Sequence, residues 1–152
     1  MSGDPVARRR LRLWLRLLRL TRETEAELRA RMREAGTTLP RFDVMAALAR
    51  APDGMGMGEL SASLKVSGGN VTPLVDRLEA EGLVERVAVA GDRRRSLARL
   101  TEAGAARFRA LAARHAGWID EMFGEIGEAE VDAALAALAK APKRTTAEEP
   151  AA

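Results

Sequence analysis

From Leu11 onward, leucines and a tryptophan recur at helical intervals with arginines between them. At 100° per residue, Leu11, Trp14, Leu15 and Leu18 share one face, and Leu13, Leu17 and Leu20 share the next. Arg12, Arg16 and Arg19 fill the remaining polar stripe. The pattern predicts a long helix over 11–35, ended by Gly36. Its apolar arc is wider than the core of one small domain requires, so the helix is expected to pack on its own domain and on a partner chain.

A second helix is signalled by Thr37-Thr38-Leu39-Pro40, a hydroxyl cap followed by proline in the first turn. Phe42, Met45, Ala46 and Ala49 keep the helical period to about Arg50. The stretch "APDGMG" is predicted as a turn, and the short helix after it turns Met57, Leu60 and Leu64 inward. The next helix is predicted over Ser67–Glu81. Ser67 is its N-cap, Val71, Leu74, Val75 and Leu78 form its apolar face, and Gly82 ends it. Its opposite face carries Gly69, Thr72, Pro73, Asp76 and Ala80, flanked by Asn70 and Arg77. Two helices joined by a short turn, the second with a small polar outer face, have the sequence shape of a helix-turn-helix. Pro73, counted from Ser67, lies past the first turn and predicts a distortion there.

The period then changes to two. "LVERVAV" and "SLARL" flank the tip Gly91-Asp92-Arg93-Arg94-Arg95-Ser96, which predicts a hairpin with three arginines at its end. Thr101 is expected to cap a helix to about Phe123, with Phe108, Leu111, Ala112, His115, Ile119 and Met122 on one side. An Ala/Leu helix is predicted over 128–140. The tail 142–152 holds no apolar residue larger than alanine and is expected to be disordered.

Composition narrows the chemistry. The chain has 152 residues, 47% hydrophobic but 3% aromatic, with no cysteine and one histidine. Disulfides, Cys-zinc sites and thiol redox switches are excluded, and no metal site or cofactor is predicted. No nucleophile–base pairing or phosphate loop stands out, so no enzyme is expected. Residues 1–115 carry 22 Lys/Arg against 14 Asp/Glu, a net +8, and residues 116–152 carry a net −5. A basic body points to a polyanionic partner, nucleic acid or a membrane surface. The arginines within "LRLWLRLLRL" argue against a signal peptide, and the stretch is too short and charged to span a bilayer. A cytoplasmic protein without membrane association is expected.

The segments "GELSASL", "VSGGNVTPLVDRLEAEGLVER" and "DRRRSLARLTEAG" together resemble the MarR family of transcription regulators, and the resemblance covers roughly residues 10–140. It implies a fold that is mainly α with a small β-hairpin wing, namely a winged helix-turn-helix with N- and C-terminal dimerisation helices. Residues 1–35 and 102–141 would form the dimerisation region, 36–101 the DNA-binding region, with Ser67–Glu81 as recognition helix and Leu83–Leu100 as wing. The implied partners are an inverted-repeat duplex and a second copy of the chain. Asp92 and Arg94 match the family's wing positions: Asp92 would pair with an arginine and hold the tip, and Arg94 would reach DNA. Arg93 and Arg95 suit phosphates. Ser67, Gly69, Asn70, Thr72, Pro73 and Arg77 are the recognition-helix candidates, with Ser67 alternatively a plain cap and Arg77 alternatively paired with Asp76 or Glu81. The resemblance also implies a repressor released by a small aromatic or phenolic effector. Trp14, Phe42, Met45, His115 and Trp118 are the candidate lining, each better explained as a core or dimer-interface residue. A winged-helix interaction module that does not bind DNA is the alternative reading.

Overall fold

The computed structural model describes residues 4–64 and 71–141, with the side chain of Arg93 outside the description. The elements run α1 (Pro5–Glu34), α2 (Leu39–Ala49), β1 (Met55–Gly56), α3 (Met57–Leu64), α4 (Val71–Ala80), β2 (Val84–Val89), β3 (Asp92–Leu100), α5 (Glu102–Phe123) and α6 (Glu128–Leu138). The chain forms two compact units, one up to Trp118 and one from Ile119 onward. Among the described residues, no helix is long and apolar enough to cross a membrane.

Helix α1 starts six residues earlier than the leucine period predicts. Asp4 accepts the Val6 N–H at 2.9 Å, and Pro5 occupies the first helical position, where its missing N–H costs nothing. The cap and proline set the start, and the periodic leucines only follow. Three i,i+4 pairs line its surface, Arg19–Glu23, Arg29–Glu25 and Arg31–Glu27. Only its C-terminal end, at Leu28 and Met32, is buried in the chain. Leu11, Leu13, Trp14, Leu15 and Leu20 are exposed, so the expectation that this stretch also packs on its own domain holds for the far end alone.

The core joins Met32 of α1, Val44, Met45 and Leu48 of α2, Leu60 of α3, Val75 and Leu78 of α4, Val84 of β2 and Leu111 of α5. Helix α2 begins as the sequence predicts: Thr38 is its N-cap, followed by Pro40 in the first turn. The C-terminus of α1 is closed from a distance, because Arg107 of α5 donates to the Ala35 carbonyl at 2.6 Å. A guanidinium there also meets the negative end of the helix dipole.

The sheet is three-stranded and antiparallel, in the order β1-β3-β2. Strand β1 falls within the predicted turn "APDGMG". Met55 and Gly56 pair with Ala98 and Leu97, and two residues are too short a run to show any period. Strands β2 and β3 pair from Val84↔Leu100 to Ala88↔Ser96.

The end of α4, the root of the hairpin and the start of α5 are knotted together. Leu83 N–H reaches back to the Leu78 carbonyl at 2.9 Å. The Leu83 carbonyl accepts the Thr101 N–H at 3.1 Å. The Thr101 hydroxyl donates to the Gly82 carbonyl at 2.6 Å and accepts the Gly104 N–H at 3.0 Å, capping α5. Gly104 lies so close to Leu83 that a Cβ would fall 1.8 Å from the Leu83 carbonyl oxygen.

Two alanine substitutions on α5 should therefore act in opposite directions. Gly104→Ala is expected to destabilise by about 3 kcal/mol, since backbone must move to admit the methyl. Gly117→Ala, where a Cβ meets nothing within 4 Å, should stabilise by up to about 1 kcal/mol through helix propensity. Thermal or urea unfolding of both variants checks this, and equal shifts would contradict the packing at Leu83.

Candidate nucleic-acid interface

Helix α4 separates its residues by burial as its sequence dictates. Val71, Val75 and Leu78 are buried and Leu74 half-buried, while Thr72, Pro73, Asp76, Arg77 and Ala80 face solvent. The exposed face holds a hydroxyl, a proline ring and a guanidinium, all small or extended enough to approach a groove. Pro73 is the third residue of the described helix. The predicted distortion turns on residues 67–70, and Ser67, Gly69 and Asn70 lie outside the described residues, as does the proposed cap.

The hairpin differs from its sequence reading in a way that changes the arginines. The turn is Ala90-Gly91, with Gly91 at φ 85°, a left-handed conformation that glycine adopts without a Cβ clash. Val89 pairs with Asp92, yet Ala88 pairs with Ser96. The step from Ala88 to Val89 on β2 thus faces Arg93, Arg94 and Arg95 on β3, a bulge of three residues on the return strand. The arginines are therefore not the turn. They stand beside it, on a strand segment that begins at Asp92 rather than at Ser96.

Asp92 supports this bulge through the backbone. Its Oδ1 accepts the Arg94 N–H at 3.0 Å, an Asx-type turn. The pair between Asp92 and an arginine side chain implied by the family resemblance is not among the described ion pairs. Arg94 and Arg95 are exposed, and among the described residues neither engages a carboxylate. A cleft of about 380 Å³ opens between the bulge side of β3 and the start of α3, lined by Arg94, Arg95, Ser96 and Leu97 with Gly56–Glu59.

The carboxylates around α4 are, by contrast, all engaged. Arg86 of β2 donates to Asp76 at 2.7 Å and to Glu79 at 2.8 Å. Glu81 accepts from Arg41 of α2 and, at 3.4 Å, from Arg77. Arg77 stays largely exposed and so remains available. Across the sheet, Arg99 and Glu85 occupy paired positions and bond at 2.7 Å. Arg41 and Arg86 escaped the sequence reading. Nothing local marks them, because their partners come from other elements.

The five candidate effector residues are not gathered around one space. Phe42 is buried and stacks on Phe108 at 5.7 Å and on His115 at 5.0 Å between ring centroids. Met45 is fully buried in the core. Trp118 is half-buried under the Arg114 guanidinium, 5.2 Å from the ring centroid. Trp14 is exposed on α1. A cleft of about 730 Å³ lies elsewhere, among Glu25 and Arg29 of α1, Leu39, Pro40, Asp43, Ala46 and Arg50 of α2, Ser63 and Leu64 of α3, and Pro73 and Leu74 of α4. Burial raises the Asp43 carboxyl above its ordinary value, His115 opposes that shift, and Glu25 adds to it. Among the described residues no group of three His, Cys, Asp or Glu is placed to hold a metal ion.

This arrangement recurs in known proteins. The sequence profile of the MarR family matches residues 35–95. The solved MarR family transcriptional regulator from Silicibacter pomeroyi is 37% identical, with a TM-score of 0.72, over 90% of this chain and 95% of that one. The HTH-type transcriptional regulator MhqR of Bacillus subtilis (strain 168) is 29% identical over 122 residues, 80% of this chain and 83% of MhqR. The fold is also that of Staphylococcus aureus MepR in its complex with DNA, at 22% identity and a TM-score of 0.70 over 84% of this chain and 94% of MepR. With a solved relative 37% identical over 90% of its length and the family profile matching residues 35–95, the chain belongs to the MarR family of transcriptional regulators.

Proposed function

We propose that the protein binds an inverted-repeat DNA duplex as a homodimer, with α4 in the major groove and the β2–β3 hairpin along the flanking minor groove. The observation that carries this reading is the charge placement around one lobe. The carboxylates near α4 are held by Arg41, Arg77 and Arg86, while among the described residues Arg94 and Arg95 have no carboxylate partner. A narrow minor groove concentrates negative potential and attracts arginine. MepR, which shares the fold, has been solved with DNA bound. In this reading residues 36–101 contact DNA, residues 1–35 and 102–141 build the dimer, and no catalytic role is assigned.

The dimer assignment rests on uncovered apolar surface. Leu11, Trp14 and Leu15 on α1, and Val131, Leu135 and Leu138 on α6, stay exposed in the single chain. Soluble monomers seldom leave such faces in water. Regulation would proceed by repression, released when a small aromatic or phenolic compound binds. The cleft beside Leu39, Pro40, Asp43 and Leu74 is the better candidate for that compound, since Phe42 and Met45 are committed to the core.

Arg94→Ala tests the wing. It should cost roughly 1–3 kcal/mol of operator affinity per subunit, while an exposed position should change stability by less than about 0.5 kcal/mol. Binding isotherms beside a thermal melt decide it, and unchanged affinity at every salt concentration would move the interaction-module reading ahead. Thr72→Ala should change the motif recovered by binding-site selection, because Thr72 faces outward on α4. Sedimentation at micromolar concentration should give about twice 16.4 kDa.

The raised Asp43 carboxyl gives a pH prediction. Its charged form is disfavoured in the folded state, so ionised Asp43 costs stability above the raised value and that cost is relieved as pH falls through it. Asp43→Asn should therefore melt slightly higher than the parent at neutral pH, with the gap closing as the pH drops through the carboxylate range. A gap that does not change with pH would show that the cleft walls around this exposed carboxyl do not disfavour its charge.

A further inference from the structure

Arg86 makes a two-legged contact that folding stability does not require. Its Nη1 donates to Glu79 Oε2 at 2.8 Å and its Nη2 to Asp76 Oδ1 at 2.7 Å. Asp76 and Glu79 stand three residues apart on α4, so they share a face and one planar guanidinium spans both. The side chains of Arg86, Asp76 and Glu79 are 31%, 56% and 39% exposed. Ion pairs this open to water add little to folding stability. What a fork with two fixed legs supplies is geometry. It restrains rotation of α4 about its axis relative to β2, which a flexible point charge does not do.

That rotation is the one that matters for reading DNA. β2 carries the hairpin, and Gly91 lies five residues beyond Arg86. Five extended residues span about 16 Å, so a tilt of about 10° at Arg86 displaces the bulge by about 3 Å. A displacement of that size breaks a hydrogen bond in a groove. We propose that Arg86 is a positioning residue for operator readout: by bridging Asp76 and Glu79 it fixes the angle between the recognition helix and the wing, so that both engage the duplex together. The proposal rests on the reading that α4 and the hairpin contact DNA. Its competitor is charge masking, in which Arg86 serves only to neutralise two carboxylates that would repel phosphates.

Two full-length variants separate these roles. Arg86→Lys keeps the charge but has no fork. The triple variant Asp76→Asn, Glu79→Gln, Arg86→Gln removes all three charges and the fork together. The probes are the duplex motif that the parent protein recovers from a random-sequence pool and a shuffled duplex of the same composition. Both variants should lose roughly tenfold or more of the parent's preference for the motif over the shuffled duplex. Their affinity for the shuffled duplex at low salt should stay within about threefold of the parent, because phosphate contacts carry it. Thermal melts accompany each variant. If Arg86→Lys keeps the parent's preference, or a folded triple variant does, masking suffices and the proposal is overturned. If the triple variant does not fold, the lysine variant decides alone. If the parent itself recovers no motif, the DNA reading fails, and the proposal fails with it.

Discussion

The close approach of Gly104 to the Leu83 carbonyl governs the geometry of the DNA-facing lobe. Helix α4 ends one turn before Leu83, β2 starts just after it, and α5 starts beside it. The Leu83 carbonyl accepts from Thr101, and Thr101 both caps α5 and holds the Gly82 carbonyl. One residue larger than glycine at 104 would force these three elements apart. The knot means that the exit of α4, both roots of the hairpin and the first turn of α5 share one set of hydrogen bonds. A shift of α5 is therefore passed to α4 and to the wing together.

Charge is arranged around that knot with a consistent logic. A helix meant for a polyanion is poorly served by Asp76, Glu79 and Glu81. Each is engaged by an arginine from a neighbouring element or turn, so their field is largely cancelled locally. These pairs are exposed enough that their effect on stability is small. Their effect on the outward potential is larger, because among the described residues the hairpin is left with Arg94 and Arg95 against the single carboxylate of Asp92. The three-residue bulge then sets Arg94 and Arg95 apart from the ladder, with Asp92 holding the Arg94 amide.

The sequence exposed those features whose causes are local. The alternation of Val71, Leu74, Val75 and Leu78 was enough to orient α4, and Thr38, Pro40 and Thr101 were enough to start two helices. The family words located the wing but not its register. Gly91 and Asp92 both look like turn residues, and only pairing with β2 decides that Ala90 and Gly91 turn while Asp92 pairs. Strand β1 was invisible for a related reason: two residues become a strand because β3 lies alongside. Arg86, Arg41 and Arg107 went unnoticed because each acts across the fold, on Asp76 and Glu79, on Glu81, and on the Ala35 carbonyl. The candidate effector lining came from the family resemblance and not from local pattern, and Phe42, Phe108 and His115 stack on one another.

The surplus apolar arc of α1 connects these local arrangements to regulation. A lobe of this size closes its own core with Leu28 and Met32, and Leu11, Leu13, Trp14, Leu15 and Leu20 before them stay exposed among the described residues. If a second copy covers them, two recognition helices acquire a fixed separation, and a two-fold duplex becomes the matching ligand. Separation then becomes the controllable quantity. The cleft that meets α1, α2, α3 and α4 would then touch both the helix proposed to pair the copies and the helix proposed to enter the groove. A compound seated there would alter DNA affinity only insofar as it prefers one separation over another. Leu74 and Pro73 would supply the physical link, because they line the cleft from the same helix that exposes Thr72 and Arg77.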